Sequence, residues 1–549
     1  MSAWNFAEAI YQLSESDWGE KPALIHGHDS ISYRELARRG RGIADYLQSL
    51  NLPPGSHVGH YLRNSNAYME SFVGAALAGH SHVNVNYRYT DEELTDLCNG
   101  LDIRVLVYDS EFAGLVAQIQ PRLTETVAFI EVDGEAVFAE GGKHNGFAVA
   151  LSELQQRDPQ AFQRSTSSDD LILIATGGTT GLPKGTQWRH EDMFRKTQTA
   201  TGNALKLVLG IEDHPATMEE HVANVNRLPG GMPFLSLSPL MHGAAFITAL
   251  MMMAQGNPVV TLPGQRFDAD TTLDAIKEHK VGCMVLVGDA FAMPLTEALE
   301  RREAEQTIAS LMMLVSSGAS MSDASKAVFL KHKPELFMMD TLGSSEAIGY
   351  GISTAEAGVF SPMPTTRVMD EDLNDVVPGS DTIGMIYSGG FSPVGYYNEP
   401  EKSAETFIEL NGQRFVKTGD RCTVREDGMI VLLGRDSTVI NTGGEKVYTV
   451  EVETILVQHP SISDALVVGL PHERFGKQVV AVVEGPDLTE ANLDVADVQA
   501  HCREHLADYK VPKLVFAIDD LKRAPNGKPD YPFVTDYAEA CYASGQDNS

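Results

Sequence analysis

The stretch that decides the fold runs from Leu171 to Gly185 and reads LILIATGGTTGLPKG. The apolar residues from Leu171 to Ala175 have the length and composition expected of a buried strand. The glycines that follow let the backbone turn its N–H groups inward, two neighbouring threonines add hydroxyl donors, and Lys184 adds a positive charge. This combination predicts a binding loop for a polyphosphate at the end of a strand.

The loop differs from two other phosphate-binding patterns. No glycine directly precedes Lys184 and no serine or threonine directly follows it, so the Walker pattern does not fit. The spacing of its glycines also differs from G-x-G-x-x-G. A glycine-rich hairpin without a ligand is the alternative that this segment alone leaves open.

Outside the loop, helix-like segments alternate with short β-branched strands from Ile31 to about residue 290, as in Tyr33 to Leu50 and Val105 to Tyr108. This alternation predicts an α/β fold, with a large N-terminal domain of mostly parallel sheets flanked by helices. The acidic segment from Gly210 to Gly231 interrupts it and predicts a surface excursion, with His214 and His221 on a solvated loop or helix face.

After Gly428 the strands and helices become shorter, which predicts a small α+β C-terminal domain. We place the large domain at residues 1–434, a hinge at residues 435–437 and the small domain at residues 438–549. A chain of 549 residues exceeds what one hydrophobic core usually serves, which agrees with at least two domains.

Composition limits the classes of function. A formal net charge of −33 would repel a nucleic-acid backbone, so we expect no nucleic-acid partner. No apolar run reaches the roughly 18 residues of a transmembrane span, and the first residues lack the pattern of a secretory signal, so we expect a cytoplasmic protein. The five scattered cysteines predict free thiols rather than disulfides or a zinc site.

The loop from Thr176 to Gly185 resembles that of the adenylate-forming superfamily, which reads T-[SG]-G-T-T-G-x-P-K-G. The resemblance continues in order along nearly the whole chain, from Ser32 to Leu36 (SYREL) near the start to Gly527 and Lys528 near the end. This superfamily contains acyl-CoA synthetases, the adenylation domains of nonribosomal peptide synthetases and firefly luciferase. The resemblance implies ATP as a substrate, Mg²⁺ as a cofactor and, for a synthetase, coenzyme A as co-substrate.

By this resemblance, the ATP site is assembled from separate segments. The run from Asp340 to Glu346 (DTLGSSE) resembles the Y-G-x-T-E segment, and Glu346 with Thr176 would hold Mg²⁺. Leu342 replaces the usual aromatic residue, so adenine would pack on an aliphatic face. The run from Lys417 to Asp420 (KTGD) resembles the ribose-binding motif. The expected nucleotide-binding residues are Thr176, Gly177, Gly178, Thr179, Thr180, Gly181, Lys184, Ser317, Gly318, Ala319, Leu342, Gly343, Ser344, Ser345, Asp420 and Arg435.

Catalytic residues follow from the same resemblance. The run from Pro239 to Gly243 (PLMHG) resembles the segment that places an aromatic or histidine side chain, here His242, beside the carboxylate and the α-phosphate. The run from Arg523 to Lys528 (RAPNGK) resembles the C-terminal motif whose lysine bridges these groups. Lys528, His242 and Lys184 are the expected catalytic residues, acting by positioning and by stabilising negative charge.

The small domain is implied to be mobile, swinging between the two half-reactions about Asp436 and Ser437. The run from Asn441 to Val447 (NTGGEKV) resembles the loop that lines the pantetheine tunnel. Coenzyme A is therefore expected to contact Gly443, Gly444, Lys446 and Arg474.

The expected acyl pocket has small walls, which leave volume for a large substrate. We expect a medium-chain, long-chain, branched or steroid-side-chain hydrophobic carboxylic acid. Asp289 is the candidate counter-ion if the substrate were instead an amino acid. The pocket residues are His242, Gly243, Ala244, Gly288 and Ala290.

Together these patterns predict an AMP-forming acyl-CoA synthetase, an acid–thiol ligase of fatty-acid and lipid metabolism. The loop TGGTTG combined with the run from Trp188 to Asp192 (WRHED) resembles a bacterial subgroup of fatty-acid and steroid-side-chain synthetases. A stand-alone adenylation enzyme, a luciferase-like enzyme and a catalytically silent nucleotide-binding protein of the same fold stay open as alternatives. Monomer and homodimer are both open.

Overall fold

The computed structural model describes residues 2–132, 147–159, 162–176, 184–198, 215–228, 230–302, 306–319, 321–353, 356, 358–435, 438–442, 445–472, 476–486, 488–523, 527 and 529–547. Residues 190–198 are helical. The other α-helices are α1 (Phe6–Ser14), α2 (Tyr33–Ser49), α3 (Asn66–Leu77), α4 (Asp91–Gly100), α5 (Ala113–Ile119), α6 (Leu151–Gln155), α7 (Met218–Val225), α8 (Gly243–Ala254), α9 (Ala269–His279), α10 (Asp289–Arg301), α11 (Asp323–His332), α12 (Pro400–Thr406), α13 (Thr449–Leu456), α14 (Val495–His505) and α15 (Tyr531–Asp547).

The strands fall into three sheets. They are β1 (Pro22–His26), β2 (Asp29–Ser32), β3 (His57–Tyr61), β4 (Ser81–Asn84), β5 (Ile103–Asp109), β6 (Ala128–Val132), β7 (Val149–Ala150), β8 (Leu171–Thr176), β9 (Lys184–Arg189), β10 (Phe234–Ser236), β11 (Val259–Thr261), β12 (Cys283–Leu286), β13 (Met313–Ser317), β14 (Phe337–Leu342), β15 (Gly351–Ser353), β16 (Val359–Pro362), β17 (Thr366–Met369), β18 (Gly384–Gly389), β19 (Gly395–Tyr396), β20 (Phe407–Leu410), β21 (Gln413–Val424), β22 (Ile430–Arg435), β23 (Ile440–Thr442), β24 (Glu445–Val447), β25 (Asp464–His472), β26 (Gly476–Glu484) and β27 (Leu514–Ala517).

The first sheet has the order β19-β9-β8-β4-β3-β5-β6-β7. It is parallel from β8 to β7, while the β8–β9 and β9–β19 pairs are antiparallel. Strand β3 is buried along its whole length, as expected of a parallel sheet covered on both faces. The strand predicted from the Leu171 run, β8, therefore lies inside this sheet and carries its loop at the sheet's carboxyl edge.

The second sheet is parallel in one part and antiparallel in the other. Strands β11, β10, β12, β13 and β14 pair in parallel, and β14, β15, β16, β22, β21, β18 and β17 continue the sheet with antiparallel pairs. Because β12, β13 and β14 run in the same direction, their carboxyl ends meet at one edge. Open α/β sheets bind ligands at such an edge.

The third sheet belongs to the C-terminal part of the chain. Its order is β24-β23-β26-β25, with β27 parallel to β26, and it has its own apolar core. Strand β22 of the second sheet ends at Arg435 and β23 of the third sheet begins at Ile440, so the proposed hinge at residues 435–437 falls between two sheets. The predicted fold class, mostly parallel sheets flanked by helices with a separate small α+β unit, is confirmed.

The segment from Gly210 to Gly231 is not the solvated excursion that its polar sequence predicts. Within its described part, α7 packs Met218, His221 and Val222 into the core. The His221 side chain donates from Nε2 to the Ala254 carbonyl at 2.7 Å, so this histidine belongs to the interior. His214 lies outside the described residues.

Two expectations from composition can be compared with the described residues. No helix among them is both long and apolar enough to cross a membrane. All the cysteines are free thiols, as predicted, and most are buried: Cys98, Cys283, Cys422, Cys502 and Cys541.

Candidate active site

The glycine-rich loop connects two adjacent strands of the first sheet, β8 and β9. Thr176, the last residue of β8, and Lys184, the first residue of β9, are direct cross-strand partners. The Lys184 ammonium group lies 5.3 Å from the centre of the Tyr396 ring, on β19. The loop from Gly177 to Pro183 is outside the described residues, but both its ends are fixed by the sheet.

A buried amide ties this loop to the segment that carries His242. Asn84, at the end of β4, accepts from the Ala175 N–H at 2.7 Å and donates to the Ala175 carbonyl at 3.1 Å. The same amide donates to the Met241 carbonyl at 2.5 Å. Because Asn84 satisfies polar groups on β8 and on Met241, it holds β8 and the residue preceding His242 at a fixed separation.

His242 caps the amino end of α8, and Gly243 makes the close approach behind it possible. A Cβ atom on Gly243 would lie 3.2 Å from Cγ2 of Ile174 and 3.7 Å from Oγ of Ser345. The first turn of α8 therefore touches both β8 and the segment after β14. The sequence predicted that these three segments share a site, and the structure brings them together.

The segment after β14 positions Glu346 near Lys184. Trp188 donates from its indole N–H to the Ser345 carbonyl at 2.8 Å. The Tyr396 hydroxyl donates to Oε1 of Glu346 at 2.9 Å. Since Tyr396 also lies beside Lys184, one aromatic side chain links the predicted phosphate-binding lysine to the predicted metal-binding carboxylate.

Asp420 and Arg435 form an ion pair set by strand register. They are cross-strand partners on β21 and β22, and the Arg435 Nε donates to Oδ1 of Asp420 at 3.0 Å. The Tyr350 hydroxyl donates to the other carboxylate oxygen. Asp420 is only 5% exposed, so its two donors fix the orientation of a carboxylate that water hardly reaches.

The environment of Asp420 keeps Tyr350 protonated and Arg435 charged. Burial first, and the charge of Asp420 second, raise the pKa of the Tyr350 hydroxyl well above its usual value. Asp420 is in turn the largest cause that raises the pKa of the Arg435 guanidinium. Tyr350 therefore stays protonated and Arg435 stays charged, and both donate to the carboxylate.

The turns after β12 and β13 are joined by a serine hydroxyl. Ser316 Oγ accepts from the Gly288 N–H at 2.8 Å and donates to the Ala319 carbonyl at 2.5 Å. Gly318 has a φ of +96°, a backbone region that favours glycine. A Cβ atom on Gly318 would lie 3.5 Å from Cγ1 of Val287. The predicted Ser317–Ala319 segment and the predicted pocket residue Gly288 are thus neighbours, while Ala290 lies exposed beyond them.

Asp289 does not point to an ammonium site. Its Oδ1 accepts from the Ser325 hydroxyl at 2.8 Å, and both carboxylate oxygens lie 3.2 Å from the Ser322 N–H. These contacts hold the start of α11. The predicted counter-ion for an amino-acid substrate therefore has a structural role.

The C-terminal motif reaches the same edge of the sheet. Gly527 has a φ of +74°, and a Cβ atom there would lie 2.7 Å from Cγ1 and 3.0 Å from the carbonyl oxygen of Val287. Gly527 thus packs against the residue directly after β12. Gly527, the residue that precedes Lys528 in the sequence, therefore lies next to Gly288.

Part of the predicted site lies outside the described residues. Among the described members, Lys184, Ser317, Leu342 and Arg435 lie at strand ends of the two large sheets, Asp420 lies within β21, and Gly243 and Ala244 lie in the first turn of α8. The residues that fall outside are Gly177, Gly178, Thr179, Thr180, Gly181, Asp436, Ser437, Gly443, Gly444, Arg474 and Lys528, together with the side chains of Thr176 and Lys446.

Sequence reasoning missed three side chains that organise the site: Asn84, Tyr350 and Tyr396. Each is a polar or aromatic residue at or near a strand end. Asn84 is a polar residue at the end of the buried strand β4, and Tyr396 lies in the run Gly395 to Asn398 (GYYN). These features signal a special position, but they do not identify its partner.

The chain is similar in sequence to known proteins along most of its length. The AMP-binding enzyme family matches residues 12–397, and the AMP-binding enzyme C-terminal domain matches residues 451–528. The chain is 36% identical over 535 residues to a medium/long-chain-fatty-acid–CoA/3-oxocholest-4-en-26-oate–CoA ligase of Mycolicibacterium smegmatis, covering 95% of this chain and 94% of that one. It is 35% identical over 550 residues to a 3-oxocholest-4-en-26-oate–CoA ligase of Rhodococcus rhodochrous, covering 96% of both chains.

Solved structures show the same fold. The anthranilate CoA ligase AuaEII in complex with anthranoyl-AMP superposes with a TM-score of 0.81, at 21% identity and 98% coverage of both chains. A benzoate CoA ligase from Burkholderia xenovorans LB400 superposes with a TM-score of 0.79, at 22% identity, covering 96% of this chain and 99% of that one. The fold and the site define an adenylate-forming enzyme. The chain belongs to the AMP-binding enzyme family.

Proposed function

We propose that this chain is an ATP-dependent, AMP-forming acyl-CoA synthetase whose acid is a medium-chain, long-chain, branched or steroid-side-chain carboxylic acid. The carboxylic acid, ATP and coenzyme A are its substrates. Relatives at 35–36% identity over nearly the whole chain carry the names of fatty-acid and cholestenoate CoA ligases, which supports this choice.

The observation that carries the proposal is the meeting of Lys184, Glu346, Asp420 and Arg435 around two tyrosines. Cations beside a glycine-rich loop suit the phosphates, and a buried carboxylate with fixed orientation suits the two hydroxyls of a ribose. The described site thus offers complementary groups to both ends of a nucleotide.

In the first half-reaction the substrate carboxylate attacks the α-phosphate, a P–O bond forms, and pyrophosphate leaves with its electron pair. Lys184, Lys528 and the N–H groups of the loop would stabilise the charge on the phosphoryl oxygens, and His242 would lie beside the reacting groups. In the second, the thiolate of coenzyme A attacks the acyl carbon and AMP leaves. No protein nucleophile is required.

Glu346 fits a divalent cation. One carboxylate oxygen is occupied by Tyr396, and among the described residues Oε2 has no hydrogen-bond partner. A half-buried carboxylate oxygen is a hard ligand of the kind that Mg²⁺ prefers. We propose that Glu346 and Thr176 hold Mg²⁺, which would neutralise phosphate charge when bound.

The domain assignment is part of the same proposal. Residues 1–434 would hold ATP and the acid, and residues 438–549 would swing about Asp436 and Ser437 between the half-reactions. Coenzyme A would then pass Gly443 and Gly444, with Lys446 and Arg474 near its phosphates.

The choice of acid follows from the small and uncharged walls of the pocket. Gly243 and Ala244 on α8 and Gly288 after β12 add little volume, and Asp289 is engaged by α11. We infer that an apolar chain would meet these uncharged residues, with about 0.8 kcal/mol of binding free energy for each buried methylene.

Pyrophosphate release and acyl-CoA formation, measured along a series from acetate to palmitate with a bile-acid-type carboxylate and benzoate, test this function. We expect kcat/KM to rise with chain length until the pocket is filled, and thioester to form only when CoA is present. A maximum at acetate, propionate or benzoate would overturn the substrate assignment. Pyrophosphate release without thioester would favour a stand-alone adenylation or luciferase-like enzyme, and the absence of pyrophosphate a silent protein.

A further inference from the structure

Arg523, the first residue of the C-terminal motif, donates three side-chain hydrogen bonds. Its Nε and Nη2 donate to the two carboxylate oxygens of Asp464, the first residue of β25, at 2.5 and 2.7 Å. Its Nη1 donates to the Gly527 carbonyl in a longer hydrogen bond of 3.4 Å. The side chain is 24% exposed, so this fork is shielded from water.

Asp464, which accepts two of these hydrogen bonds, belongs to the third sheet of the C-terminal domain. Asp464 pairs with Glu484 in the β25–β26 ladder, and Glu453 on α13 lies within electrostatic reach of Arg523. Glu453 is itself held by the Val467 N–H at 2.9 Å and by the Tyr531 hydroxyl at 3.0 Å. The guanidinium therefore has a fixed carboxylate partner in Asp464.

Gly527, which accepts the remaining hydrogen bond of Arg523, contacts the large domain. Gly527 accepts the third hydrogen bond and packs on Val287, where a Cβ atom would come within 2.7 Å of Cγ1. Gly527 is bonded covalently to Lys528. The hydrogen bond from Arg523 thus holds the carbonyl of the residue that precedes Lys528 in the sequence.

We propose that Arg523 is a positioning residue for the first half-reaction: by joining Asp464 to the Gly527 carbonyl, it holds the peptide before Lys528 against Val287. This inference rests on the proposed function. In the second half-reaction of this mechanism the motif has moved away from Val287. The hydrogen bonds of Arg523 then no longer position a catalytic group.

The competing explanation is a purely structural role, in which Arg523 only stabilises the small unit. Both half-reactions need a folded small unit, so a structural defect would slow both. A positioning defect would slow adenylate formation alone. The two half-reactions can be measured separately, because acyl-adenylate can be supplied to the enzyme.

The test uses the full chain with Arg523→Met and Arg523→Lys, and with Lys522→Met as the matched control. Lys522 is the preceding residue and forms an exposed ion pair with Asp520 at 2.8 Å. Pyrophosphate release without CoA reports adenylate formation. Acyl-CoA formation from supplied acyl-adenylate reports thioester formation.

We expect Arg523→Met to lower the rate of adenylate formation by about tenfold or more, as for the loss of hydrogen bonds to a charged group, and to leave thioester formation within about twofold. Arg523→Lys should recover part of the rate, and Lys522→Met should match the wild type. Equal losses in both half-reactions, or no loss in either, would overturn the assignment.

Asp464→Asn supplies a second route if Arg523→Met does not fold. It keeps the size of the acceptor but removes its charge, and we expect the same selective loss of adenylate formation. An Asp464→Asn enzyme with wild-type rates would contradict the proposal. Failure of the proposed function has a different signature, since the wild-type chain itself would then release no pyrophosphate.

Discussion

Replacing Tyr350 by phenylalanine should weaken ATP binding while leaving the chemical step nearly unchanged. The Tyr350 hydroxyl donates to one oxygen of Asp420, and Arg435 donates to the other. Without the hydroxyl, the carboxylate keeps one donor and gains freedom to rotate. Ribose hydroxyls would then meet an acceptor that is no longer oriented in advance.

The size of the effect follows from the burial of the carboxylate. A hydrogen bond to a charged group contributes about 1.5–3 kcal/mol, and the 5% exposure of Asp420 leaves little room for water to replace it. Because Arg435 still holds one oxygen, we expect a value around the lower end of this range, about 1–2 kcal/mol, or about 5- to 30-fold in affinity. The ribose is remote from the reacting phosphate, so the loss should appear in KM for ATP rather than in kcat.

Initial rates of pyrophosphate release against ATP concentration, with calorimetric titration of ATP, measure both quantities. Tyr33→Phe is the matched control, since the Tyr33 hydroxyl is equally buried and donates to the Met253 carbonyl at 2.7 Å, away from the site. It should change stability and leave KM for ATP unaltered. An unchanged KM in Tyr350→Phe, or a fall in kcat alone, would refute the assigned role of the hydroxyl.

Two further outcomes are expected. Lys528→Ala should abolish adenylate formation and largely spare thioester formation from supplied acyl-adenylate; equal loss of both would remove Lys528 from the first half-reaction. His190 is fully buried, and burial lowers its pKa from 6.5 to about 3. Below pH 6.5 the histidine is therefore protonated in the unfolded chain but not in the folded chain, so the free energy of unfolding falls as the pH is lowered. Relative to His190→Gln, the wild type should lose about 2 kcal/mol by about pH 5 in urea unfolding, and parallel pH profiles would contradict this.

The parts of the site that the sequence predicts are those whose chemistry is local. The loop between Thr176 and Lys184 is contained in one hairpin, so its glycines and its lysine stand next to each other in the chain. Asp420 and Arg435 lie farther apart, but both belong to adjacent strands of one antiparallel pair, and register places them opposite each other. Short-range patterns and strand pairing suffice for these residues.

The parts that the sequence does not predict depend on contacts between distant segments. Asn84 meets Ala175 across 91 positions and Tyr350 meets Asp420 across 70. Nothing in the local pattern of either residue specifies such a partner. The antiparallel half of the second sheet is likewise not predicted, and its β16–β22 pair, which places Val359 opposite Val431, joins strands that are distant in the sequence.

The helix α7 shows how a local pattern misleads. Its sequence, MEEHVANV, carries two acidic residues in its first turn and a histidine, which favour a solvated segment. Yet Met218, Val222 and Val225 recur at helical spacing and bury one face, and His221 joins that face by donating to the Ala254 carbonyl. Composition outweighed periodicity in the prediction, although periodicity decides which side of a helix is buried.

The charges of the site explain how so acidic a chain can receive an anionic nucleotide. Arg435 is neutralised by Asp420, and Arg523 is neutralised by Asp464, so these guanidinium groups act mainly as fixed donors. Among the described residues, Lys184 has no carboxylate within ion-pair distance; its neighbour is the face of Tyr396. The overall charge of −33 therefore does not decide binding at this edge of the sheet. In the proposed function, the uncompensated Lys184 ammonium, at the end of the glycine-rich loop, would supply the local attraction for phosphate, and the paired arginines would supply orientation.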